Sequence, residues 1–363
     1  MKIKEIVKAL DEFAPLSLQE SYDNAGLIVG AYDDDVSKAL ISFDVTEEVV
    51  DEALREGAGM IISHHPVIFG GLKKLNGSNY VERVVIKAIK NNIALYAAHT
   101  NLDNLPKGTN RPLALKLGLK NLKVLEPQGK SLLKLVVFVP ESHADKVRTA
   151  IFDAGAGVIG NYDRCSFNAH GQGSFRAGEN TNPFVGEQGS QHFEDEVRIE
   201  TILPAYLKGK VISSMLAAHP YEEVAYDIYM LENKTYISGA GLIGSLEKET
   251  EALDFLRKLK EITGGCIRYT PLVKNKVKKI ALCGGSGAFL IKKAKAAGAD
   301  VYITGDVKYH EFFDAEDKMI IADIGHYESE QFTKDILYEF IKEKFPTFAV
   351  QKSGIVTNPV NYL

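Results

Sequence analysis

Short apolar runs, each closing on polar residues and lying among amphipathic helices, set the strongest limit on how this chain can fold. Met60-Ile61-Ile62 ends in Ser63-His64-His65-Pro66, and residues 93–98 end in His99-Thr100-Asn101-Leu102-Asp103. Residues 301–304 end in Gly305-Asp306, and residues 319–324 end in Gly325-His326. Runs this short and this apolar suit strands covered on both faces. Helical spacing marks residues 3–13, where Ile3, Ile6, Val7 and Leu10 share a face. It also marks 47–56 (with Thr46 as N-cap), 81–90, 288–297 and a long helix ending near Lys344. Strands alternating with helices imply βαβ units and a mostly parallel sheet.

With 363 residues, the prior is about two domains. The middle departs from the α/β pattern. An apolar run, 132–139, stops at Pro140, and 145–155 reads as a helix. A Gly- and Asn-rich stretch, 155–189, is followed by an alternating strand over 196–203, a helix over 207–218 and a strand over 226–230. That order predicts an α+β ferredoxin-like module. The expected organisation is a discontinuous α/β domain, 1–126 with 234–363, interrupted by an inserted domain, 127–233. The outer segments predict two pseudo-related halves. Residues 56–65 align without gaps, at the level of pattern, on 297–306: a helix ends in Gly-Ala, a strand follows, then Ser or Thr.

Composition removes several function classes. The chain is 45% hydrophobic and 25% charged, so it is not disordered as a whole. No apolar run reaches the roughly 18 residues that a membrane helix needs. A net charge of -5 gives no overall attraction to nucleic acid. Three scattered cysteines (Cys165, Cys266, Cys283) fit a reducing compartment, and the first residues have helical spacing, not a signal sequence. The expected location is the cytoplasm.

The chemistry-bearing residues collect at strand ends, where open α/β sheets bind ligands. Side chains of adjacent strand residues point to opposite faces, so His64 and His65 suit two neighbouring ions better than one. His326 and Glu330 stand at i, i+4 and share a helix face, and Asp103 closes the loop after another strand. Three imidazoles and two carboxylates, without Cys, suit Zn²⁺, with Mn²⁺ or Fe²⁺ as alternatives. Five ligands exceed what one open catalytic ion takes and suit two ions roughly 3.5–4 Å apart. Any one strand-end His is more often a hydrogen-bonded polar residue; the coincidence of three clusters favours metal. His99 and His310 are candidate proton carriers, and Asp306 with His310 a candidate pair. Gly284-Gly285-Ser286-Gly287, between strand and helix, reads either as a phosphate cradle or as a tight turn. In the middle segment, residues 155–162 read as a packing turn, and His219-Pro220-Tyr221-Glu222-Glu223 as a corner or a binding loop.

Ser63-His64-His65-Pro66, His99-Thr100-Asn101-Leu102-Asp103, Gly305-Asp306-x-x-x-His310 and Gly325-His326-x-x-Ser329-Glu330 resemble, in order, the motifs of the Nif-three-like family. Its members are often labelled GTP cyclohydrolase I type 2 homologues. Asp23-Asn24-x-Gly26-Leu27 also resembles that family, with Tyr22 where many members have Trp. The middle segment is similar to the PII- and CutA-like insert of the longer bacterial members. The resemblance implies a dinuclear metal site on His64, His65, Asp103, His326 and Glu330, and a toroidal homohexamer whose inserts cap the ring. The function expected is a metal-dependent hydrolase acting on a nucleotide, a related heterocycle or a phosphoester. The alternative is a non-enzymatic regulatory or metal-handling scaffold whose insert senses a small ligand.

Overall fold

Leu40, Ile61 and Leu95 point one way from neighbouring strands while Ile41, Ile62 and Tyr96 point the other, and none of the six is more than 1% exposed. Both faces of this sheet are therefore covered, as parallel strands require. The computed structural model describes residues 1–129, 131–233 and 238–363. The first sheet has the order β1-β4-β3-β2-β15, with β1 (Gly26–Val29), β2 (Lys38–Ser42), β3 (Met60–Ser63), β4 (Ala94–Ala97) and β15 (Ala349–Lys352). All its pairs are parallel except β1 with β4. Helices Glu47–Arg55 and Tyr80–Lys90 pack Val49, Val50, Val84 and Val85 on one face. Helices Ile3–Phe13 and Thr333–Lys344 pack Ile6, Leu10, Leu337 and Ile341 on the other.

The second sheet corrects the expectation of mostly parallel pairing. Its order is β11-β14-β13-β12-β10-β5, with β5 (Lys120–Pro127), β10 (Gly239–Glu251), β11 (Arg268–Tyr269), β12 (Lys276–Leu282), β13 (Val301–Thr304) and β14 (Ile320–Asp323). Only β12, β13 and β14 run parallel. Strand β10 lies antiparallel between β12 and β5, and β11 antiparallel to β14. Periodicity missed β10 because it holds Gly239, Gly241 and Gly244, which lower strand propensity. Close approach explains one of them: a Cβ at Gly244 would lie 2.9 Å from the Lys120 carbonyl.

These two sheets belong to one compact unit, Met1–Pro127 with Tyr236–Leu363; Gln128–Thr235 forms another. In the second unit β6 (Leu132–Pro140), β7 (Phe167–Arg176), β8 (Gln191–Pro204) and β9 (Tyr226–Leu231) make an antiparallel sheet of order β7-β8-β6-β9. Helices Ala144–Asp153 and Lys208–Ala218 bury Val147, Ile151, Val211 and Met215 against Leu135, Val137, Val197 and Ile199. Residues 155–189 are less irregular than their glycines suggested, because β7 pairs with β8 along its whole length. Among the described residues, no helix is long and apolar enough to cross a membrane.

Candidate metal centre

Strands β3 and β4 are neighbours in the first sheet and β14 belongs to the second, and the polar residues that follow their carboxyl ends meet. After Ser63 the strand stops: the N–H groups of His64 and His65 both donate to the Phe43 carbonyl, each at 3.1 Å. The two imidazoles consequently stay close, with ring centroids 4.8 Å apart. Beyond β4 the four-residue helix Thr100–Asp103 begins directly after His99. Buried Asn101 and Asn104 fasten it, donating to the Ala14 and Leu18 carbonyls at 2.6 and 2.8 Å. Beyond β14, Gly325 has φ 91°, and the short helix His326–Glu330 places its first and last side chains on one face. The long helix expected here breaks after Glu330 and resumes as Thr333–Lys344. Gln331, at the break, donates to the Thr263 carbonyl at 2.9 Å.

The structure brings His64, His65, Asp103, His326 and Glu330 together around one carboxylate oxygen. Glu330 Oε2 lies 3.1 Å from His326 Nε2, 3.4 Å from His65 Nε2 and 3.6 Å from His64 Nε2. His64 Nε2 is also 3.7 Å from Asp103 Oδ1. Three groups of ligand atoms result, His65/His326/Glu330, His64/Asp103/Glu330 and His64/His65/His99, with the atoms of each group within 4.8 Å of one another. Each could hold a metal ion, Glu330 belongs to the first two, and the third sets His64 and His65 in one group although they are adjacent in the chain.

The far side of every ring is occupied. His64 Nδ1 meets the Ala98 carbonyl at 2.8 Å, His65 Nδ1 meets Asp44 Oδ1 at 2.7 Å, and His326 Nδ1 meets Asp306 Oδ2 at 2.6 Å. A carbonyl only accepts, so His64 carries a proton on Nδ1 and turns Nε2 toward the centre. Asp44 is held in turn by the Thr357 hydroxyl and Asp306 by Ser286. Partners of this kind fix ring orientation in metal sites.

Burial works to lower the pKa of His65, but Asp44 and Glu330 outweigh it and push it up to about 9. Burial is likewise outweighed at His326 by Asp306 and Glu330, which push it up to about 10. Glu330 is held well below the usual carboxylate range: burial opposes ionisation, and His326, His64 and His65 overcome that. Burial, with the Glu330 charge, raises the pKa of Asp103.

The donor set fits a divalent ion. Six buried side-chain polar atoms lack a hydrogen-bond partner among the described residues, and three of them, His64 Nε2, Asp103 Oδ1 and Glu330 Oε2, meet here. An orphaned buried polar atom is costly unless something binds it. Imidazole nitrogen with carboxylate oxygen, and no thiolate, is a set that takes Zn²⁺ and its neighbours.

His99 joins the rim. Its ring centroid lies 5.3 Å from those of both His64 and His65, and Asp23 Oδ1 holds its Nδ1 at 2.7 Å. The other Asp23 oxygen accepts from the Thr100 N–H and hydroxyl. Burial opposes ionisation of Asp23, and the His99 and Thr100 bonds outweigh it, leaving its pKa at about 2. His310 stands apart. It is exposed on the 3-10 turn Tyr309–Ala315, in ring contact with Tyr309 and Phe313. The expected Asp306–His310 pair is replaced by Asp306–His326, because Asp306 adopts φ 54° and turns its carboxylate toward Ser286 and His326. The glycine loop is a tight turn in which three of the four N–H groups are engaged. Gly284, Gly285 and Gly287 donate to Asn110, Ser329 and Thr304 side chains. Its glycines make room for the centre: a Cβ at Gly284 or Gly285 would lie 2.7 or 2.6 Å from Glu330 atoms. Sequence reasoning missed Asp23, Asp44 and Thr357 as site residues. Asp44 follows a strand as His64 does and could have been flagged; Thr357 had no local signal.

Fold and site define a mixed α/β protein with a buried His/Asp/Glu cluster able to hold metal. The Duf34/NIF3 family (NGG1p interacting factor 3) matches residues 1–359, and the chain belongs to that family. A protein of Halalkalibacterium halodurans named GTP cyclohydrolase 1 type 2 homolog is 40% identical over 364 residues, covering 99% of this chain and 98% of that protein. A Bacillus subtilis protein of the same name is 36% identical, with coverage of 99% and 98%. A crystal structure of a Bacillus cereus protein related to NIF3 superposes with TM-score 0.87 at 42% identity, covering 100% of this chain and 99% of that one.

Proposed function

We propose that this protein is a dinuclear metal-dependent hydrolase acting on a nucleotide, a related heterocycle or a phosphoester. One observation carries the reading: three imidazole Nε2 atoms lie within 3.1–3.6 Å of a single buried carboxylate oxygen, with Asp103 beside them. His65 and His326 would hold one ion and His64 and Asp103 the other, with Glu330 shared; Zn²⁺ is the first candidate, then Mn²⁺ or Fe²⁺. Bound there, such ions would polarise a substrate oxygen and acidify water. Asp44, Asp306 and the Ala98 carbonyl hold the rings in place. Asp23 fixes His99 at Nδ1, leaving Nε2 to take up and return a proton.

The reading extends to architecture. The order strand, helix, two strands, helix, strand, with β6 and β8 central, supports a ferredoxin-like, PII/CutA-like insert over 127–233. The equal, wholly buried strands β3 and β13 support two pseudo-related halves. A cytoplasmic homohexamer is the assembly proposed with it.

The test is metal content per chain after reconstitution with Zn²⁺ or Mn²⁺, beside the double variant His64→Ala, His65→Ala. About two ions per wild-type chain, lost in the variant, is the expected result. A wild type that stays metal-free would sink it. The second unit has a cavity of about 730 Å³ walled by Phe175, Phe184 and Tyr221. That cavity favours the second reading, a scaffold whose insert senses a small ligand. Ligand binding at Tyr221 that persists when the metal is removed would favour it.

A further inference from the structure

Two cavities open on the centre. One, of about 650 Å³, is lined by His65, His326, Asp44 and Asp306; the other, of about 480 Å³, by Asp103, Glu330, His99 and His326. They differ from ordinary nucleotide sites in charge. Among the described residues the smaller cavity is lined by no Lys or Arg, while Glu20, Asp103 and Glu330 supply carboxylates. The larger is lined, among the described residues, by a single arginine, Arg268, whose Nη2 donates to the Asp323 carboxylate and the Val307 carbonyl. Sites that hold polyphosphates supply Arg, Lys or free backbone N–H groups. Here the N–H groups of Gly284, Gly285 and Gly287 already have partners. Two divalent ions would bring four positive charges, and the four carboxylates Asp44, Asp103, Asp306 and Glu330 match them. Little positive field would remain for a triphosphate.

The smaller cavity does offer aromatic surface. Tyr22, Phe69 and Phe289 line it and are 66%, 53% and 68% exposed, so more than half of each residue is uncovered within the described fold. Phe69 is braced edge-on by His99, with centroids 5.3 Å apart. Exposed aromatic faces beside a polar floor are what flat rings stack upon.

We infer that the cavity lined by Tyr22, Phe69 and Phe289 binds an uncharged, planar heteroaromatic or cyclic-amide ring, and that a polyphosphate chain contributes nothing to recognition. This rests on the hydrolase reading only for which bond reacts; ring binding stands without it. The ring would present an N–H edge to the carboxylate side of the centre, and the aromatic side chains would exclude water from its faces.

The test uses the full chain, metal-loaded and metal-stripped, and calorimetric titration with inosine, uridine, 2-hydroxypyridine, inosine triphosphate and inorganic triphosphate. At least one neutral ring should saturate, and Tyr22→Ala and Phe289→Ala should each weaken it about tenfold, the size of one lost stack. Tyr80→Ala, an equally exposed aromatic on the helix Tyr80–Lys90, should change nothing. Inosine triphosphate should bind within about threefold of inosine. Three results would overturn the inference: no neutral ring saturating in the millimolar range, triphosphate tightening binding tenfold or more, or inorganic triphosphate displacing the ring. Metal content, read in parallel, separates the two ideas. Ring binding without metal removes the hydrolase reading alone. Two ions per chain without ring binding removes this one alone.

Discussion

At the scale of single residues, Glu330 is the group on which the site depends. Its Oε2 meets three imidazoles, and its carboxylate is buried and ionised because of them. Glu330→Gln keeps the volume and removes the charge. Metal content should fall below one ion per chain, with loss of any turnover, while the thermal midpoint shifts by only a few degrees; elemental analysis and calorimetry would check both. Asp44→Asn leaves every ligand in place but weakens the hold on His65. Its expected cost is about tenfold to a hundredfold in metal affinity, measured by competition with a chromophoric chelator. The ion-free centre also has a defined pH response. His65 and His326, with pKa values near 9 and 10, hold protons at pH 7 that an incoming ion must displace. Apparent metal affinity should therefore rise from pH 6 to pH 9, with proton release visible as a buffer-dependent heat of binding. For stability without metal the sign is opposite. Both folded values lie above the ordinary imidazole value of about 6.5. The stabilisation is full below that pH and is lost as pH climbs through about 9 to 10. A flat affinity between pH 6 and 9 would count against this assignment of protons.

At the scale of elements, loops matter more than the strands that present them. The strands are short and buried, and the turns after them carry the side chains that meet at the centre. Gly285 has φ 61°, and a Cβ there would lie 2.6 Å from Glu330 Oε1. Gly57 has φ 67° and open space around it. Both substitutions to Ala carry the left-handed penalty of about 1 kcal/mol. Only Gly285→Ala adds a clash, so it should cost upwards of about 2 kcal/mol and lose metal, whereas Gly57→Ala should keep its metal. Denaturant melts with parallel metal analysis distinguish the two. The break between the helices His326–Glu330 and Thr333–Lys344 belongs here too. Periodicity ran through it, because Gln331 and Phe332 are ordinary helix residues, and a tertiary hydrogen bond to Thr263 accompanies the interruption.

At the scale of the molecule, Gln128–Thr235 closes a core of its own from Leu135, Val137, Ile199, Val147 and Met215. Expressed alone, it should unfold cooperatively with a near-native far-UV spectrum. Non-cooperative melting would show that its core depends on the rest of the chain. The other unit has no such independence between its two stretches. Strand β15, near the end of the chain, pairs with β2 near its start, and Ser353 and Gly354 donate to buried Glu52. Thr357 then reaches Asp44 and through it His65, so the final segment contributes to holding the centre.

The sequence by itself determined the elements that local chemistry controls. Apolar runs of four residues, capped amphipathic helices and the His, Asp and Glu at strand ends were readable because period, capping and strand termination act over a few positions. The five clustered residues were found this way, and by their likeness to family motifs. Tertiary structure alone decided the rest. Antiparallel β10 was hidden by its glycines, of which Gly244 allows close contact with β5. Asp23, Asp44 and Thr357 act on rings 76, 21 and, through Asp44, some 290 positions away. Asp306 chose His326 over His310 through a left-handed turn. Such pairings depend on which strand ends become neighbours, and adjacency in space across a sheet leaves no periodic trace along the chain.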